Sequence, residues 1–202
     1  MKQITFKQYR SIDIVILCFL TAVFESIVCM ATNKWFVLQA MAVSITLTMT
    51  CIAAFRWNEL ALFPCLVGSL SYGIVSKATL QQIIVYCTGS LFCLIPILLL
   101  NRLNKEKIKK DFIKRTAFVA TVYIFTALGR WILSLIFEQN IGALIVFITS
   151  DILSLLFAII VLTIVKNVDG LLEDQKSYLL RLEREKQEEE KANASDPFTT
   201  AR

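Results

Sequence analysis

Residues 141–165 read IGALIVFITSDILSLLFAIIVLTIV, twenty-five residues with a single charge, Asp151. As a helix rising about 1.5 Å per residue, this stretch is longer than the roughly 30 Å hydrocarbon core of a bilayer. A soluble domain has no use for such a segment, so it predicts a membrane crossing. Working outward, five more apolar segments precede it: about Ile12 to Ala31, Trp35 to Phe55, Leu60 to Val75, Leu80 to Leu100, and Thr116 to Phe137. The third is the shortest and contains Pro64, Gly68 and Gly73. The whole chain is 56% hydrophobic and 18% charged, against about 25% charged in soluble domains. This excludes an ordinary cytosolic enzyme, an acidic disordered chain and a disulfide-stapled secreted module. The expected fold is an all-α integral membrane protein, six transmembrane helices in a compact bundle over residues 1–165.

The basic residues orient it. With six crossings and a cytoplasmic N-terminus, 18 of the 21 Lys and Arg residues fall inside, and only Lys34, Lys77 and Arg130 fall outside or in the outer half. That distribution predicts two cytoplasmic termini in a cell membrane. Failure of the third segment to cross would set the termini on opposite sides. Seven of the basic residues lie between Arg102 and Arg115, in RLNKEKIKKDFIKR. This surface stretch between two three-helix halves sets topology and attracts anionic lipid headgroups. The net charge of +5 is accounted for by membrane orientation and implies no nucleic-acid partner. After Val165 the composition turns to Leu, Glu, Lys, Arg and Gln, predicting a cytoplasmic helix over 166–191 that frays near Glu188, then a disordered tail over 192–202.

No catalytic signature is present. The chain lacks histidine, and it has no G-x-S-x-G, HExxH or phosphate-binding loop. The six cysteines all lie in apolar segments without a CxxC pair and read as small buried hydrophobes. No metal, cofactor or enzymatic activity is expected.

The informative residues are ionisable groups inside apolar segments, which are costly there unless they face a cavity or a partner. Glu25, Arg130 and Asp151 fall within a turn or two of one depth in the outer half. They read either as a salt-bridge network locking helices or as the lining of an outward-facing cavity. Gln39, Tyr72, Gln82, Tyr86 and Trp131 fall at the same level, and Trp35, Tyr72 and Trp131 also fit an interfacial aromatic belt. Aromatic groups with a few polar ones suit a small organic ligand. At the inner end, Asp13, Arg56 and Trp57 suggest an organised cytoplasmic face. Ala22 and Ser26, four residues apart on the first segment, suit close helix approach.

With six segments, both termini inside and a polar site toward the outside, residues 1–165 resemble the substrate-binding S components of energy-coupling factor transporters of prokaryotes. The resemblance implies capture of a vitamin or other small water-soluble nutrient by Glu25, Gln39, Tyr72, Gln82, Tyr86, Arg130, Trp131 and Asp151. It implies docking of a membrane coupling subunit on Ala22 and Ser26, and two ATPase subunits to supply the work. The alternative is a non-transporting scaffold subunit of cell-envelope or cell-shape machinery, with Arg102–Arg115 and Lys166–Lys191 as docking surfaces. A stand-alone transporter is a third reading.

Overall fold

A computed structural model describes residues 6–35, 43–102, 105–137 and 142–195. The regular elements of the described residues are all helices: α1 (Phe6–Trp35), α2 (Thr46–Trp57), α3 (Leu62–Val75), α4 (Leu80–Ser90), α5 (Leu94–Arg102), α6 (Lys105–Lys110), α7 (Phe112–Ile136), α8 (Ala143–Ser150), α9 (Ile152–Val165) and α10 (Gln175–Ser195). Five stretches are long and apolar enough to cross a membrane: Phe6–Lys34, Thr46–Val75, Leu80–Leu100, Phe112–Ile136 and Ala143–Val165. The protein is an all-α, multi-span helical bundle.

The sequence divides these residues into six segments rather than five, and the difference lies in Thr46–Val75. That stretch folds back on itself. Asn58 adopts φ 53°, inside the turn Asn58–Ala61, and α3 returns along α2. The return is tight: a β-carbon on Gly68 would lie 2.1 Å from the Thr46 hydroxyl oxygen, across 22 residues of chain. A hairpin brings its two ends to the same end of the bundle.

Other boundaries also move. Trp35 belongs to α1 rather than opening the second segment, and α2 begins at Thr46. The final span is followed by a turn over 166–174, then by α10, which runs to Ser195.

Burial explains the layout. On α1, Leu17, Thr21, Glu25 and Cys29 recur every four residues and form the buried stripe. Val15, Phe19, Val23, Ile27 and Met30 face outward and are exposed, as lipid contact requires. The neighbours run α1, α3, α4, α7 and then α8–α9, with α2 inside, packed on α1, α3, α7 and α9. Nine of its twelve residues are buried.

One end of the bundle is a polar clasp. Asp13 takes the Arg56 guanidinium in a bidentate pair at 2.7 and 3.0 Å and also accepts from the Trp57 indole. Arg56 reaches on to the Gly170 carbonyl at 3.0 Å. Lys109 pairs with Glu173 at 2.6 Å, and Tyr9 donates to Gln175 at 3.2 Å. The buried Arg115 guanidinium donates to the Lys109 carbonyl and the Thr163 hydroxyl. The start of α1, the hairpin tip, the α5–α7 connection and the segment after α9 therefore meet at one end. Burial pushes the Lys105 ammonium below its ordinary value there, opposed by Asp174 at 3.9 Å.

Candidate functional site

Three stretches lose regular helical structure at the other level of the bundle. In the last span the sequence Thr149-Ser150-Asp151 supplies side chains that compete with the helix for backbone groups. Helix α8 stops at Ser150, Asp151 takes φ −96° and ψ 8°, and α9 starts afresh. The carbonyl of Ile148 accepts from the Tyr123 hydroxyl instead. In the fourth segment Pro96 has no N–H and its ring crowds the carbonyl four residues earlier. The helix tightens into a 3-10 turn at Leu91–Cys93, and the Ser90 carbonyl accepts the Cys65 thiol at 3.5 Å.

The third irregularity is the start of α2. Its first amides have no carbonyl partner within the helix. Glu25 supplies one from α1: Oε2 accepts from Ile45 N at 2.8 Å and Thr46 N at 2.9 Å. Ser44 N donates to the Ser154 hydroxyl at 2.8 Å. Glu25 is fully buried, and its carboxyl group faces the positive end of the α2 dipole. Irregular backbone at membrane depth persists only where protein or water satisfies it. Here Glu25, Cys65, Tyr123 and Ser154 do so.

Arg130 joins the pieces. Its Nη1 meets Asp151 Oδ2 at 2.5 Å, and Nε and Nη2 donate to the Ser90 hydroxyl at 3.3 and 3.2 Å. Ser90 also receives Ser69 at 3.0 Å. The guanidinium carbon lies 4.5 Å from the centre of the Tyr86 ring. Tyr86 in turn stacks on Tyr72 at 5.3 Å and meets Phe147 edge-on at 6.1 Å. Beside this cluster is a chamber of about 30 Å³, walled by Arg130 and Asp151, by the hydroxyl-bearing residues Ser44, Thr46, Thr50, Ser90, Tyr123, Thr126 and Ser154, and by Leu47, Cys65 and Ala127, with a lining that is more apolar than polar. The hydroxyls of Thr46 and Thr50 are buried and have no hydrogen-bond partner among the described residues. The space is of water size, and its walls offer a water the partners it needs.

The structure thus gathers Tyr72, Tyr86, Arg130 and Asp151, as their shared depth predicts. It places Glu25 otherwise: this carboxylate caps α2 behind Thr46 and does not line the chamber. Gln82 is exposed at the start of α4 and completes a capping box, with Thr79 N donating to Gln82 Oε1 at 2.9 Å. Trp131 is half-buried beside Arg130 but is not in the chamber wall. Gln39 lies outside the described residues. Ala22 and Ser26 are half-buried on the flank of the α1 stripe, and Ser26 bonds the Ala22 carbonyl at 2.7 Å.

Sequence reasoning missed Ser90, Tyr123 and Ser154. Two signals pointed toward them: Pro96 inside the fourth segment and the Thr-Ser-Asp triplet inside the sixth. Both mark where a helix has to break and find outside partners. All six cysteines are free, and Cys65 and Cys93 touch at 3.6 Å. Among the described residues no cluster of three or more His, Cys, Asp or Glu side chains could hold a metal ion. Compared with known proteins, the chain matches no family model, no curated protein and no solved structure.

Proposed function

We propose that the chain is a solute-capture subunit of a membrane importer, with the chamber beside Arg130 as its binding site. In this reading α2 and α3 cross separately, giving six crossings, and the clasp end with its basic loop faces the cytoplasm of a prokaryotic cell. A small water-soluble nutrient enters from outside, and a coupling subunit seated near Ala22 and Ser26, with two ATPase subunits, powers its release. The observation that carries the reading is the meeting of two interrupted helices and the start of a third around one space beside Arg130. A bundle built only for rigidity has no need of unwound backbone there, whereas discontinuous helices at mid-membrane form the sites of many transporters.

The chamber is far below the roughly 300 Å³ lower bound for organic-ligand sites. Capture therefore requires opening, for which the Asp151 break and the Leu91–Cys93 turn supply hinges. The small volume, with the Arg130 charge already matched by Asp151, favours the scaffold reading as the second one.

Native mass spectrometry of the protein extracted gently from its own membrane separates them. We expect a small polar molecule to be retained by the wild-type chain and lost from Thr50→Val. That change removes one unpartnered hydroxyl with little change of shape, and the thermal transition of ligand-free protein should stay within a degree or two. No retained molecule in either protein would leave the scaffold reading ahead. The orientation has its own test. In right-side-out vesicles a cysteine at position 77 should react with an impermeant thiol reagent, and one at position 107 should not. The reverse pattern would invert the topology.

A further inference from the structure

We propose that the groove between α5, α6 and α7 is a built site for one anionic phospholipid. The groove has a volume of about 420 Å³ and a mostly apolar lining. Its floor comes from Pro96 and Leu99 of α5 and from Ala117, Phe118 and Thr121 of α7. Lys107 of α6 and Lys114 of α7 stand at one end, with Ile108 between α6 and the core.

The register on α7 explains the shape. Positions 114, 117, 118 and 121 fall three and four residues apart, so they share one helix face. Going along that face the residues change from cationic to apolar over about 10 Å, at about 1.5 Å per residue. A phospholipid changes in the same order, from phosphate to acyl chain. The surroundings fit a lipid-facing wall: Ile95, Leu98 and Leu99 on α5 and Phe112 and Ile113 on α7 are all exposed. Lys114 already holds Asp111 at 3.3 Å, but that pair is largely solvent-exposed and adjacent in the helix. Such pairs contribute little, so a phosphate displaces it readily. Short α6 matters here, because it carries Lys107 over the end of the trench. A generic basic surface would attract anionic lipid diffusely, whereas this geometry specifies one headgroup position and one chain path. The site stands independently of what the Arg130 chamber does.

The test is retention of lipid by the full-length protein in native mass spectrometry, after titrating detergent-solubilised protein with dioleoyl phosphatidylglycerol or dioleoyl phosphatidylcholine. One phosphatidylglycerol should be retained with a preference of about 25-fold, roughly fivefold for each lysine. The double variant Lys107→Gln/Lys114→Gln should reduce that preference to near unity while the protein stays folded. Ala117→Trp, which fills the trench and keeps both charges, should abolish retention of the single bound lipid. A control pair elsewhere at the clasp end, Lys166→Gln/Lys176→Gln, should leave the preference intact. Equal retention of the two lipids by wild type would overturn the proposal. So would an equal loss in the control pair, which would mean diffuse charge only, or a dimer in phosphatidylcholine that Ala117→Trp dissolves, which would mean a second copy occupies the groove.

Discussion

Arg130→Met should cost the fold about 3–5 kcal/mol, among the largest losses available to a single substitution in this bundle. Arg130 is 8% exposed, and its guanidinium serves three elements at once: Asp151 at the break in the last span, Ser90 beside the 3-10 turn, and the Tyr86 ring. Methionine keeps much of the length and the apolar stem but leaves the Asp151 carboxylate without a counter-charge in a low-dielectric setting. The cost is mainly that stranded charge, not the intrinsic value of the pair. The double variant Arg130→Met/Asp151→Leu should therefore recover most of the loss, since replacing both partners of a buried pair by apolar groups is often neutral. Reversible unfolding in mixed micelles, followed by helicity, measures all three proteins. A double variant as unstable as the single one would show that Asp151 has a separate role at the helix break. It would also shift weight from the locking function of this pair to its place in the chamber wall.

The second large effect concerns the crossing of α4 and α7. A β-carbon on Gly129 would lie 2.2 Å from the Gly89 carbonyl oxygen and 2.7 Å from Phe92. One on Gly89 would lie 2.6 Å from the Arg130 α-carbon. Each glycine thus faces the other helix's backbone, which cannot rotate out of the way as a side-chain tip can. Gly129→Ala should push the helices apart and cost about 2–3 kcal/mol, at the upper part of the usual overpacking range. The same separation would stretch the adjacent Arg130–Ser90 contacts, now 3.2 and 3.3 Å. Gly142 supplies the control: nothing lies within 4 Å of its would-be β-carbon. Gly142→Ala should be neutral or slightly stabilising by up to about 1 kcal/mol, through the unfolded chain. Equal losses at both positions would mean that the cost is not one of helix approach.

Hydropathy made the apolar segments and their order legible, because lipid exposure leaves long apolar runs such as Ile152–Val165. The common level of Arg130 and Asp151 followed from counting along two helices, and they do pair. Glu25 was legible as an ionisable group needing compensation, but its partner was not. It answers two backbone amides of another helix rather than a side chain, and backbone groups carry no letter in the sequence. The turn between the second and third segments was legible as well, because the polar run Arg56-Trp57-Asn58-Glu59 separates two apolar stretches, and the structure turns at Asn58–Ala61. How closely α3 returns along α2 was not, since it rests on the fit of Thr46 against Gly68. The capping role of Gln82 was legible in the Thr-x-x-Gln spacing from Thr79, and the structure forms that cap.

The central position of α2 has a consequence for biosynthesis. This helix is made early, yet the partners that enclose it come late: Ser44, at its entrance, bonds Ser154, 110 residues further along the chain. At roughly 5–20 residues per second, the ribosome needs on the order of 5–20 s to deliver that partner. Through this interval the threonines of α2 lack the α9 wall that encloses them in the finished bundle. The nascent protein therefore passes through a stage in which its most polar membrane segment is its least sheltered.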